Sequence, residues 1–267
     1  MTKRDDIGEA EVAAAWDANA PTWTEHVRAG YDHFRELISL PAFLEFLPDL
    51  TGRQVIDLGC GEGRNTRDFA RRGARMTGVD ISAQMIGAAE AAEAEAPLGI
   101  AYRVGSFTRL DGIPDDSFDA AVSTMALMDS PDFAAAARAA HRVLRPGGAL
   151  YFSVLHPCFM TPGLTLPGRS AGVADPVTVA DYFREHAGVE RWRFSKAPET
   201  ATAEPFAVPH FPFRLEHYVN GLCAAGFCIT RIAEPRPDPA LIAAHPWLER
   251  WHRHAAFTLL VAATSPA

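Results

Sequence analysis

From residue 54 onward, short apolar runs alternate with amphipathic stretches. Runs at 54–58, 75–79, 100–104, 118–125 and 150–155 have the length of buried strands, while 64–72, 83–94 and 133–143 space their apolar positions three and four apart. Such alternation predicts βαβ units assembled into a parallel sheet. Gly73 after Arg71-Arg72, and Pro146-Gly147-Gly148 after Arg145, stand where helices must end. A helix over 215–225 stopped by Gly226, a strand over 227–232, a polar stretch 239–254 and an apolar run at 257–263 complete the pattern. The chain therefore reads as one α/β domain: a Rossmann-like, seven-stranded, mostly parallel sheet with helices on both faces and its last strand antiparallel.

Two segments depart from that rhythm. Residues 9–47 carry Trp16, Trp23, Val27, Tyr31, Phe34, Leu37 and Ile38 at helical spacing, which predicts two or three short helices forming a lid (1–48) ahead of the core (49–155). Residues 156–214 are rich in proline and aromatic side chains with little periodicity, so they read as a cap inserted before the C-terminal part of the sheet (215–267).

Composition narrows the partners. Hydrophobic residues are 48% and charged residues 22% of 267, the balance of a folded globular domain. Lys and Arg number 25 against 33 Asp and Glu, and the net charge of −8 would repel a phosphate backbone, so no nucleic-acid partner is expected. No apolar run approaches the roughly 20 residues of a membrane span, and the N-terminus lacks an apolar leader, so the expectation is a cytoplasmic protein without a membrane partner. Cys60, Cys158, Cys223 and Cys228 are scattered and form no Cys-x2-Cys pair, which predicts reduced thiols and no metal site. A monomer or homodimer is expected.

The chemistry gathers at Val55-Ile56-Asp57-Leu58-Gly59-Cys60-Gly61-Glu62-Gly63, an apolar strand that runs into three alternating glycines and then a helix. Glycines at such a turn let backbone approach a ligand that a Cβ would hold off. A dinucleotide fingerprint needs a glycine at position 64, where this chain has Arg64, and Asp57 at the strand end is unfavourable to a pyrophosphate. A nicotinamide oxidoreductase is thus a disfavoured alternative. Asp80 follows Gly61 by 19 residues at the end of the next strand, where a carboxylate can accept both hydroxyls of a ribose.

Asp57-Leu58-Gly59-Cys60-Gly61-Glu62-Gly63 together with Gly78-Val79-Asp80-Ile81-Ser82 resembles the class I S-adenosylmethionine-dependent methyltransferases. Phe118-Asp119-Ala120-Ala121-Val122-Ser123 is similar to that family's fourth-strand motif, and Arg142-Val143-Leu144-Arg145-Pro146-Gly147-Gly148 to its turn into strand five. The resemblance spans 54–155. It implies S-adenosylmethionine as cofactor, with Asp57 at the strand end, the loop at Gly59, Cys60 and Gly61 against its methionine and ribose parts, and Asp80 on the ribose. Ile81 and Met85 flank the adenine side, and Ser106 and Phe107 lie at its edge, although the family has an Asp where Ser106 stands. Met125 would lie under the methionine moiety, and Tyr31 and Arg35, one helical turn apart, would close over its carboxylate.

Ligands of open α/β sheets bind beyond the carboxyl ends of the strands, which points to Asp129 and His156 after strands four and five as candidate catalytic residues. Near its reference pKa of about 6.5, an imidazole can serve as a general base. Simpler roles are open to both: His156 as a strand-end cap, and Asp129 as the cap of the helix beginning near Pro131. The aromatic cap implies a small aromatic or apolar acceptor, for which Tyr182, Trp192, His210 and Phe211 are the candidate contacts. Ser123-Thr124-Met125-Ala126 stands where base-amino methyltransferases carry Asn-Pro-Pro-Tyr, in line with a small-molecule acceptor. A protein that keeps the cofactor site without transferring methyl is the remaining alternative.

Overall fold

A computed structural model describes residues 2–3, 7–167, 176–194, 196 and 204–266; parts of the expected lid and cap lie outside the described residues. Along the chain come β1 (Thr2–Lys3), α1 (Glu9–Arg28), α2 (Leu40–Phe46), β2 (Gln54–Leu58), α3 (Arg64–Arg71), β3 (Arg75–Asp80), α4 (Ala83–Glu95) and β4 (Ala101–Val104). There follow β5 (Phe118–Thr124), α5 (Phe133–Val143), β6 (Leu144–Leu155), β7 (Gly188–Trp192) and β8 (Phe206–His210). The chain closes with α6 (Leu215–Ala224), β9 (Cys228–Ala233), α7 (Pro239–Ala244), α8 (Glu249–Arg253) and β10 (Thr258–Thr264).

Seven strands form one sheet in the order β4-β3-β2-β5-β6-β10-β9. The first five are parallel, and β10 runs antiparallel between β6 and β9, as the pattern predicted. Side chains alternate across it. Ile56, Leu58, Ala121, Leu259 and Val261 pack on one face with Phe133, Ala137 and Ala140 of α5 and Leu222 of α6. Val55, Ala120, Val122, Leu260 and Ala262 pack on the other with Phe43 and Phe46 of α2 and Phe69 of α3. A sheet buried on both faces requires apolar side chains at successive positions, which is why its strands read as continuous apolar runs.

The structure corrects three local expectations. The N-terminus has helical segments where expected, but the first is long: α1 has 20 residues and runs through Pro21, and after it a π-helical turn, Arg35–Ser39, leads into α2. Burial of Val27 and packing of Trp16 and Trp23 against Phe194, Phe206 and Val208 outweigh the hydrogen bond that Pro21 cannot donate. Arg145 to Gly148, expected as a turn before the strand, is a bulge within β6: Phe118 pairs with Leu144, and the next pair is Ala120 with Ala149. The cap, finally, contains regular structure. Two of its aromatics, Trp192 and Phe206, stand opposite each other in the antiparallel pair β7–β8, and β1 adds a third strand. On this small sheet lies α1, where the Asn19 Nδ2 donates to the Ala207 carbonyl at 3.1 Å.

Candidate functional site

Beyond the carboxyl ends of the parallel strands lies a cavity of about 1080 Å3, at the upper limit of ordinary small-molecule pockets. Its floor is the glycine loop. Gly59, Gly61 and Gly63 all have positive φ, at 77°, 55° and 83°, and Gly63 opens α3. The loop is tied to β3 by its own backbone: Gly59 and Cys60 donate to the Val79 carbonyl, and Gly61 donates to the Asp80 Oδ2 at 2.8 Å. The other Asp80 oxygen accepts from the Ser82 N–H at 2.9 Å. One carboxylate thus holds the turns after both β2 and β3. Desolvation raises its pKa to about 6, against the partial compensation of those backbone donors.

Gly59, Gly61, Asp80, Ile81, Met85, Ser106, Phe107 and Met125, all expected in a cofactor site, line the cavity. Met125 adopts φ 57°, a left-handed conformation that costs a side-chain-bearing residue about 1–2 kcal/mol. It is held there by the end of β6, where its N–H donates to the Ser153 carbonyl at 2.9 Å. Arg35 also lines the cavity. Its guanidinium donates to Asn65 Oδ1 at 2.5 and 2.9 Å and pairs with Glu36 and Asp68, while Asn65 Nδ2 reaches Thr124 Oγ1 at 2.7 Å.

Three other expected cofactor residues lie away from the cavity wall. Asp57 is fully buried beneath the loop, accepting from Thr66 Oγ1 at 2.6 Å; its second oxygen has no hydrogen-bond partner among the described residues, and burial raises its pKa to about 7. Cys60 turns its thiol toward β3, close to Gly78, where a Cβ would sit 2.9 Å from the sulfur; burial pushes the thiol pKa up. Tyr31 packs edge-on to His26, ring centroids 5.3 Å apart, within the α1 aromatic cluster.

The candidate catalytic residues separate. His156 is buried away from the cavity: its Nε2 meets Glu234 Oε1 at 2.7 Å and its Nδ1 accepts from the Cys158 N–H at 3.2 Å, so it ties the end of β6 to the residue after β9. A ring with both nitrogens engaged there is a strand-end cap. Asp129 does line the cavity, and it does not cap α5, because Asp132 does so by accepting from the Ala135 N–H at 2.8 Å. Of the expected acceptor contacts, Trp192 and His210 line the cavity. Phe211 is buried beside Val12 and Ile7, and Tyr182, whose hydroxyl accepts from the Leu215 N–H at 3.3 Å, lines a separate small pocket.

The cavity wall also holds residues with no local signal. Glu9, in the first turn of α1, accepts from Ser106 Oγ at 2.5 Å and binds Thr108 and Arg109, which fastens the N-terminal helix to the loop after β4. Trp16 and Trp23 of α1, Glu190 and Phe194 of the cap, and Trp251 and Phe257 near the C-terminus complete the wall. Among the described residues no group of three His, Cys, Asp or Glu is placed to hold a metal, and no helix is long and apolar enough to cross a membrane.

Residues 56–152 match the methyltransferase domain family. An S-adenosylmethionine-dependent methyltransferase of Mesorhizobium loti superposes with a TM-score of 0.67 at 31% identity, over 84% of this chain and 96% of that one. The chain belongs to the S-adenosylmethionine-dependent methyltransferases. The methyltransferase also shares its fold with an S-adenosylmethionine-dependent methyltransferase described as putative in Listeria monocytogenes, with a TM-score of 0.66 at 24% identity over 86% and 97% of the two chains. Ubiquinone biosynthesis O-methyltransferase of Xanthomonas oryzae is 33% identical over 144 residues, 53% of this chain and 56% of that protein. The methyltransferase thus matches about half the length of the curated relatives it resembles.

The residues present fit S-adenosylmethionine. A Cβ on Gly61 would meet nothing within 4 Å, so the missing side chain leaves open space at the cavity floor for a ligand. Beside it Asp80 offers a carboxylate, and Ile81, Met85 and Phe107 offer the apolar surfaces that a nucleoside needs.

Proposed function

We propose that this methyltransferase acts on a small molecule seated between the end of β5 and the β7–β8 pair. Bound in the cavity, S-adenosylmethionine supplies an electrophilic methyl group on a sulfonium centre. Asp80 accepts from the ribose hydroxyls, Ile81 and Met85 hold the adenine side, and Ser106 and Phe107 border its edge. Gly59, Gly61 and Met125 approach the methionine part, and Arg35, oriented by Asn65, faces its carboxylate.

The observation that carries this reading is the continuity of one cavity from Gly61 and Asp80 to the aromatic wall at Trp192 and Phe194. It leaves room for cofactor and acceptor together, and α1 forms one of its sides. The protein's work in such a displacement is to align a nucleophile with the methyl group and exclude solvent. Asp129 and His210 are the polar groups placed to touch the acceptor, and the rings around them favour a compound with a flat or apolar body. The net charge of −8 supports a small molecule over a nucleic acid. The unpaired thiols of all four cysteines support a cytoplasmic setting.

Calorimetric titration with S-adenosylhomocysteine tests the cofactor assignment. Micromolar binding, weakened at least about tenfold in Asp80→Ala, is expected from loss of a carboxylate with two hydroxyl donors. Absence of binding to the wild-type chain would overturn the assignment.

A further inference from the structure

We infer that the acceptor carries a basic nitrogen, which docks as a cation between Asp129 and Glu190. The inference rests on the proposed acceptor seat and adds its chemical class. Asp129 ends the short 3-10 turn after β5; it is only 9% exposed, faces the cavity, and has no hydrogen-bond or ion-pair partner among the described residues. A buried carboxyl with nothing to satisfy it is a costly feature unless a ligand supplies the donor.

Strand β7 brings a second acid to the same place. Its alternation points Glu190 and Trp192 one way and the exposed Arg191 the other, and the cross-strand neighbours on the inner face are His210, Val208 and Phe206. Glu190 pairs with His210, Nδ1 to Oε1 at 3.5 Å, and its own charge opposes ionisation of Asp129, which desolvation already disfavours. Two acids that oppose each other's charge beside a cavity are both relieved by one cation. Arg191 and Arg193 also border the cavity, but the charged groups that bear on Asp129 are Glu190 and Asp80, both acids.

The walls agree with the charge. Trp16, Trp23 and Trp192 line the cavity beside Glu190, and indole faces attract a cationic nitrogen as well as packing an apolar body. A neutral alcohol would satisfy one oxygen and leave the charge repulsion in place. A carboxylic acid would increase it.

Three probes of one shape separate these cases: 2-phenylethylamine, 2-phenylethanol and 3-phenylpropanoate, each titrated calorimetrically into the full chain saturated with S-adenosylhomocysteine. The amine is expected to bind roughly tenfold more tightly than the alcohol, since charge-assisted hydrogen bonds are the stronger kind, with the acid weakest. Glu190→Gln and Asp129→Asn should each bring amine and alcohol within about threefold of each other. S-adenosylhomocysteine affinity should stay at its wild-type value in both variants, which shows that they are folded. Equal affinity for amine and alcohol in the wild-type chain, no binding of the amine at millimolar concentration, or a preference that survives in both variants would overturn the inference. If S-adenosylhomocysteine itself does not bind, the cofactor assignment fails, and the same titrations without it still decide the amine preference.

Discussion

Gly59 and Ala126 touch across the ends of β2 and β5: a Cβ built on Gly59 would lie 2.3 Å from the Ala126 Cβ. No side-chain rotation relieves such a contact, because both atoms are fixed by backbone. Gly59→Ala is therefore expected to destabilise the chain by about 1–2 kcal/mol for its left-handed φ and about 1–3 kcal/mol for overpacking. It should also displace Met125 and abolish measurable binding of S-adenosylhomocysteine. Thermal melting and calorimetry check both; a variant with wild-type affinity would refute the packing argument.

Asp80 can accept from ribose hydroxyls only when ionised, and burial raises its pKa to about 6. Affinity for S-adenosylhomocysteine is accordingly expected to hold above that pH and to fall as pH drops below it, by up to about tenfold per unit. Asp80→Asn should bind weakly at every pH and lose the dependence. A wild-type profile flat from pH 5 to 8 would contradict the assignment.

Asp57 gives a prediction about stability in the opposite direction. With a pKa of about 7 in the folded chain and an ordinary value of 3.8, it keeps a proton on folding that the unfolded chain has already lost at intermediate pH. Fewer protons on the unfolded chain mean that this group's contribution falls as pH rises from about 4 to about 7, by up to about 1.4 kcal/mol per unit. Asp57→Asn, which removes the charge and leaves an oxygen for Thr66, should flatten that part of the curve. Melting temperatures of the two proteins across this range decide it.

His156→Ala removes the link between Cys158 and Glu234 that closes the end of β6. The expected loss is about 0.5–1.5 kcal/mol of stability per hydrogen bond, since the half-exposed Glu234 left behind regains water. S-adenosylhomocysteine affinity should not change. A large loss of affinity at unchanged melting temperature would place the imidazole in the cavity after all.

These side chains show where a sequence speaks and where it stops. Apart from the start of β6, the sheet was legible to within a residue or two because its central strands, buried on both faces, must be apolar throughout, and the glycine loop because positive φ at alternate positions demands glycine. His156 and Asp129 were harder: both follow strand ends, and only the path of the chain beyond them decides that one faces Glu234 and the other the cavity. Asp132 takes the capping position that Asp129 was equally suited to fill. Glu9 carries no local mark at all, since its partner Ser106 is 97 residues away. The β7–β8 pair was hidden by Pro205, Pro209 and the rings around them, whose regularity appears only when two strands are laid side by side.

The seating of α1 on β8 has a consequence for the order in which the molecule is built. Its contact between Asn19 and Ala207 closes a loop of 188 residues, whereas the parallel pairings close shorter ones, from Val55 with Met76 to Val55 with Ala120. Long-range closures carry the larger entropic toll and come late in folding. On a ribosome the first helix must wait until the cap has emerged before it finds its seat. The parallel strands are thus assembled first and the chamber above them last, so an early folding intermediate would hold the glycine loop in place with its roof still missing.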